Sequence, residues 1–273
     1  MSGPLARVAT AAALALLGAL TGAPAPATAG IADRIGATFQ LMADDFLKAF
    51  APIEAVVVAY DGHEIFLDVT AAGGAQAGQE FTIYRKGAVF VHPFTQRPLG
   101  RFEEVLGHAQ IKRLHPQFSV AVYIPLADRP APLPEDGARI TRGRIRVAIT
   151  PVLDLTVRQA DTRRVPYLMA TVLESSRRFQ VVDPLVIADM FASGAVSVEE
   201  MFARPERAVR AAKNLDVAGW LIPMLIERRG VTYLDATYIS AVTGAALFSQ
   251  RQPLVPEAAS EEQRFPWEPK AED

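Results

Sequence analysis

The apolar pattern of this chain changes period near Gly143, and no single packed layer satisfies both halves. Before that point, residues 55–60, 64–70, 81–85, 102–114 and 119–124 are short β-rich runs separated by glycine-bearing turns such as Asp61-Gly62-His63 and Lys86-Gly87. Five such strands within about ninety residues, closed by a sixth at 138–141, predict a small β-barrel. After Gly143, strand-like runs alternate with segments whose apolar residues recur every three or four positions. That pattern predicts an α+β layer unit.

An amphipathic helix precedes the barrel. Ile31, Ile35, Phe39, Met42, Phe46 and Phe50 recur at helical steps and Pro52 closes the segment, so its apolar stripe is expected to pack on the next unit of the chain. The stretch 126–136, with Pro130, Pro132 and Pro134, reads as a rigid connector or as a loop before the last barrel strand. In the second unit, 145–149 is a buried-type strand and Val165, Leu168, Met169, Val172 and Leu173 share one helical face. Asp183-Pro184 caps a second helix, Ser197 with Glu200 forms a capping box, and a further helix begins at Pro205. Residues 217–226, 231–240 and 245–250 make an antiparallel meander, with Pro223 demanding an edge or a bulge. The expected division is 1–29 signal peptide, 30–52 helix, 53–142 barrel, 143–252 α+β unit and 253–273 disordered acidic tail.

The start of the chain is read as an address. Arg7 precedes an apolar run over 8–20 that leads to Ala27-Thr28-Ala29, the layout of a secretory leader cleaved after Ala29. The run is too short to span a bilayer, which takes roughly 20 residues, so no stable membrane anchor is expected after cleavage. The chain has no cysteine. Disulfides, a thiolate nucleophile, cysteine-ligated zinc and acylation at an N-terminal cysteine are therefore excluded, and folding rests on core packing. With 28 basic and 30 acidic residues, the charge makes no case for nucleic acid as a partner.

Catalytic signatures do not assemble. Gly73 and Gly78 have phosphate-loop spacing, but Gln79 and Glu80 stand where that loop needs lysine and a hydroxyl. His63, His92, His108 and His115 lack ligand spacing, so neither a metal nor a cofactor is expected. The adjacent acid pairs Asp44-Asp45, Glu103-Glu104 and Glu199-Glu200 cannot face one site together. No Gly-x-Ser-x-Gly elbow occurs, and the second unit contains no histidine. One cluster stands out: on a strand, Arg142, Arg144 and Arg146 would share a face and form a cationic stripe at the junction. They are the candidate partner-binding residues.

Two stretches also carry a resemblance. Asp61-Gly62, the strand 65–69, Gly74, Gly78, Phe81-Thr82-Ile83-Tyr84-Arg85-Lys86-Gly87, Pro93, Thr95, Leu99-Gly100 and Gly107 resemble the C-terminal domain of flagellar assembly protein T, a small barrel of the Src-homology-3 type. His92 and Arg97 depart from that family's turn. Residues 147–151, Arg178-Phe179-Gln180-Val181-Val182-Asp183 and Thr243-Gly244 make 146–250 similar to the N-terminal domain of TolB. They are also similar to modules of curli-secretion and penicillin-binding-protein-activator lipoproteins. The resemblances imply a non-enzymatic periplasmic protein of the Gram-negative envelope that binds other envelope proteins in flagellar, secretion or outer-membrane assembly. The competing expectation is a glycan- or peptidoglycan-binding module using Trp220, Tyr233 or the arginine stripe.

Overall fold

The structure, a computed structural model, describes residues 30–194 and 196–256. The leader expected over 1–29 and residues 257–273 of the tail expected over 253–273 lie outside the described residues, whereas Pro253 ends the last strand and Leu254 is buried, so the ordered chain runs past the expected start of the tail. The fold is α+β: a helix, a closed barrel and a second sheet covered by helices on both faces.

Six strands form the barrel: β1 (Ile53–Tyr60), β2 (Glu64–Leu67), β3 (Glu80–Val91), β4 (Pro98–Leu114), β5 (Ser119–Pro125) and β6 (Gly137–Ile140). They run in the order β1-β2-β5-β4-β3-β6, and β6 pairs back to β1. Strict alternation along the start of β1 sends Ile53, Ala55 and Val57 inward. There they join Ile65, Leu67, Phe81, Ile83, Leu106 and Ile111. Asp61 Oδ1 accepts from the amides of His63 and Glu64, and Gly62 takes φ +103°, so the β1–β2 turn forms as expected. The proline-rich stretch is a loop leading into β6, held by Arg85, whose guanidinium donates twice to Asp136 at 2.7 and 2.9 Å.

Lys86-Gly87 is not a turn. Both residues lie inside β3, where the register shifts between Lys86 and Val89. A Cβ on Gly87 would sit at an ordinary 3.4 Å from the Phe102 carbonyl oxygen, so the glycine lies beside a bulge in a continuous strand. The turn falls at 92–97 instead, and β3 and β4 become a long hairpin.

The second sheet contains β7 (Ile145–Ile149), β8 (Leu153–Asp154), β9 (Phe179–Val181), β10 (Gly219–Arg228), β11 (Val231–Ser240) and β12 (Ala246–Pro253). Its order is β12-β11-β10-β7-β9, with β8 also on β10. The meander β10-β11-β12 is antiparallel, whereas β7 and β8 run parallel to β10 and β9 parallel to β7. Pro223 occupies neither an edge strand nor a bulge. It falls between the residues of β10 paired with β7 (219–221) and those paired with β8 (224–225), where the neighbouring chain leaves the sheet and the ladder needs no amide from it.

Helices α1 (Ile31–Ala49) and α2 (Val165–Ser175) cover one face; α3 (Pro184–Ala192), α4 (Val198–Ala203) and α5 (Pro205–Ala212) cover the other. The amphipathic helix does not pack on the barrel, the next unit in the chain. Ile35, Phe39, Met42 and Phe46 enter the core under β7, β9, β10 and β11, and Phe46 meets Phe179, Tyr238 and Phe248 at ring-centroid distances of 5.2, 5.9 and 5.0 Å. The barrel is thus inserted between α1 and β7 of one layered core. At the junction Arg178 donates to the carbonyls of Phe50, Thr141 and Gly143. Glu80 of the barrel accepts from the hydroxyls of Ser240 and Thr243. Beyond β12, Leu254 is buried and the Val255 amide donates to Thr38 Oγ1.

Candidate functional site

The arginine stripe does not form. Strand β7 begins only at Ile145, so Arg142 and Arg144 lie in the crossover between barrel and sheet, off the strand ladder. Arg142 pairs with Glu54 at 3.3 Å, Arg144 donates twice to the Phe179 carbonyl, and Arg146 lies 3.9 Å from Asp216. The crossover's own carbonyls, at Thr141 and Gly143, take their donors from the Arg178 fork instead. Trp220 is likewise no surface platform for a glycan: it is 0 % exposed, and its indole N–H donates to the Ala208 carbonyl. Tyr233 is half-buried. The histidines stay apart. His108 is half-buried 3.8 Å from Glu80, and its pKa is pushed down by desolvation, which the nearby carboxylate opposes. His115 stacks on Phe118. Among the described residues no group of three or more His, Asp or Glu is arranged to hold a metal.

Apolar side chains are exposed at several positions, such as Leu41, Val58 and Val157, and two groups of such side chains are built into structured features. The first follows from topology. Strands β7 and β9 are parallel neighbours, and the chain leaves their carboxyl ends toward α2 on one face and α3 on the other. Such a divergence opens a crevice at the strand ends. Here it has a volume of about 280 Å³ and is lined by Pro151, Val152, Pro166, Tyr167, Pro184 and Leu185. Tyr167 and Leu185 are 46 % and 55 % exposed, and Val186 beside them is 50 % exposed.

Local bonds fix the walls of this crevice. Asp183 Oδ1 accepts from the Leu185 amide and starts α3. Asp154 accepts from the Thr156 amide, the Thr156 hydroxyl and the Ala160 amide, folding the 155–164 loop over the strand end. Burial pushes the Asp154 pKa up, but these donors outweigh it and hold the carboxyl below the usual range. At the rim, Arg163 donates two bonds to Asp161 and lowers that carboxyl to about 2. The lining is mostly apolar, with Thr162 and Arg163 as its polar members, so it recognises chiefly by shape and desolvation. In the sequence, Asp183-Pro184 reads only as a cap. The missed signal is that Pro151, Pro166 and Pro184 each have an apolar residue immediately after them, at the mouths of three segments that the sheet brings together.

The second place is the β3–β4 hairpin beyond the barrel wall. Strand β6 pairs with β3 only at 82–84, and β5 with β4 only at 107–114. From Lys86 to Glu103 the two strands pair only with each other. Val89, Phe90, Val91, Leu99 and Phe102 are all exposed, with Phe90 and Phe102 in ring contact at 5.0 Å. At the tip the His92 amide donates to the Arg97 carbonyl, and His92 Nδ1 accepts from the amides of Phe94 and Thr95. That loop holds Phe94 outward at 90 % exposure.

No protein-family model matches the chain, and no curated protein sequence matches it. The two family resemblances read from the sequence therefore have no family match behind them. Among solved structures the chain is similar to the LpoB C-terminal domain from Escherichia coli: 12 % identity over 42 % of this chain and 86 % of that one, TM-score 0.35. It is also similar to the lipoprotein GNA1162 from Neisseria meningitidis: 17 % identity over 40 % of this chain and 78 % of that one, TM-score 0.31.

Proposed function

We propose that this chain is a non-catalytic protein of the Gram-negative periplasm that binds other envelope proteins as an assembly factor, in flagellar, secretion or outer-membrane assembly. The carrying observation is the apolar crevice at the carboxyl ends of β7 and β9, where Tyr167, Leu185 and Val186 stand exposed around a proline-lined cleft. An exposed apolar patch on a folded unit marks a contact site, and this one offers a partner segment a mostly apolar shape with Thr162 and Arg163 in its wall. The leader-like start over 1–29 supports the compartment. In this reading the layered unit presents the crevice and the barrel, residues 53–142, is a rigid insert within it. The glycan reading loses its main residue with Trp220 buried.

The test is co-purification from crosslinked envelopes, comparing the wild type with Leu185→Asp. Removing one buried leucine contact and placing a charge in the cleft costs about 2 kcal/mol or more, a loss in affinity of about thirtyfold. Envelope proteins captured by the wild type and equally by the variant would refute the crevice as the contact site.

A further inference from the structure

The hairpin arm poses a different problem from the crevice, because it is apolar on more than one side. Val89 lies opposite Arg101, and Phe90 lies opposite Gly100. Consecutive strand residues point to opposite faces, so Val89 and Phe90 expose apolar groups on both faces of the ribbon, and Phe94 adds a third at the tip. A flat partner covers one face only.

Charge narrows the occupant further. Between Lys86 and Phe102 the charged residues are Lys86, Arg97 and Arg101, with no aspartate or glutamate. The nearest acids are already engaged: Glu103 by Arg139 at 2.6 Å and Glu104 by Arg129 at 2.8 Å. Pairing two copies of the arm would set like charges against one another, which argues against a second copy. We propose that the arm docks the protein reversibly on an anionic phospholipid bilayer, with Phe94 and the flanking apolar side chains in the headgroup interface and Arg97, Arg101 and Lys86 on the lipid phosphates.

The ribbon also sets the depth. Its outer edges carry backbone groups without ladder partners, which the hydrocarbon core does not tolerate. The arm therefore seats at the interface, within roughly 5–10 Å of the headgroup boundary, and does not span. This seat is separate from the crevice, and neither proposal depends on the other.

Sedimentation of the exported protein with vesicles of phosphatidylglycerol and phosphatidylethanolamine tests it, with phosphatidylcholine vesicles as control. Binding to the anionic vesicles alone is expected, falling with salt. Arg97→Gln with Arg101→Gln should weaken partitioning by about thirtyfold, at about fivefold for each cation. Phe94→Ser should weaken it by about tenfold. All three side chains are outside both cores, so unchanged thermal melting separates loss of docking from loss of fold. A Phe94→Trp variant should shift its emission to the blue on anionic vesicles. No binding to anionic vesicles, binding indifferent to these variants, or a photo-crosslinker at position 94 that joins only to protein in cells would each overturn the proposal.

Discussion

Phe46→Ala probes the least expected feature of the fold, a helix that skips the barrel to complete a core formed from residues a hundred positions later. Phe46 is 0 % exposed. Its ring meets those of Phe39, Phe50, Phe179, Tyr238 and Phe248 at centroid distances between 4.9 and 6.2 Å. Truncating a buried phenylalanine costs about 3–5 kcal/mol, and loss of its aromatic contacts places this one toward the upper end, about 4 kcal/mol. At a urea m-value of about 2–3 kcal/mol/M the midpoint should fall by roughly 1.5–2 M. Trp220 reports on the layered unit because it is buried on the opposite face of the same sheet. In a Trp267→Phe background, urea titration followed by Trp220 emission should show the full shift. Leu41→Ala, at a position 63 % exposed on the same helix, should move the midpoint by less than about 0.3 M. If Phe46→Ala leaves the Trp220 transition in place, the helix does not belong to that core and the inserted-barrel architecture fails.

Three further outcomes rest on individual contacts. Gly219→Ala should destabilise by about 1–3 kcal/mol or more in the same titration, because a Cβ there overlaps the fully buried Tyr238 ring. Asp136→Ala should cost about 1–3 kcal/mol, since it removes two of the Arg85 guanidinium's bonds and the acceptor of the Leu133 amide, leaving Arg85 only the Ala131 carbonyl. Asp154→Asn should cost about 1–2 kcal/mol at neutral pH through the loop bonds it weakens. Its folded pKa lies below the ordinary 3.8, so the wild-type advantage is fully present above that pH and disappears as pH falls through the folded value. Stability curves of the two proteins that stay parallel down to pH 2 would contradict that assignment.

Much of the fold was legible where local chemistry decides it. The Asp61-Gly62 turn, the Asp183 and Ser197 caps and the meander arise from residues acting within a few positions of one another. What failed depends on distant partners. Gly87 reads as a turn because glycine tolerates turns, and only the pairing of β3 with β4 shows that it lies inside a strand beside a bulge. The stripe of α1 announces a buried face, but the sequence does not say which of two cores takes it. Arg142, Arg144 and Arg146 alternate as a strand face would, yet two of them lie in a crossover, and distant partners draw the three apart: Glu54, the Phe179 carbonyl and Asp216. The crevice was hidden for the same reason: Pro151, Pro166 and Pro184 together span more than thirty residues and meet only through the parallel pairing of β7 and β9.

The claim that the crevice is the protein-contact surface is tested most directly by site-specific photo-crosslinking in living cells, with the crosslinker at position 185 and a control at exposed position 41 on α1. The account predicts a discrete adduct with an envelope protein from position 185, absent from position 41 and abolished when Tyr167→Asp is added. No protein adduct at 185, or equal adducts at both positions, would contradict it.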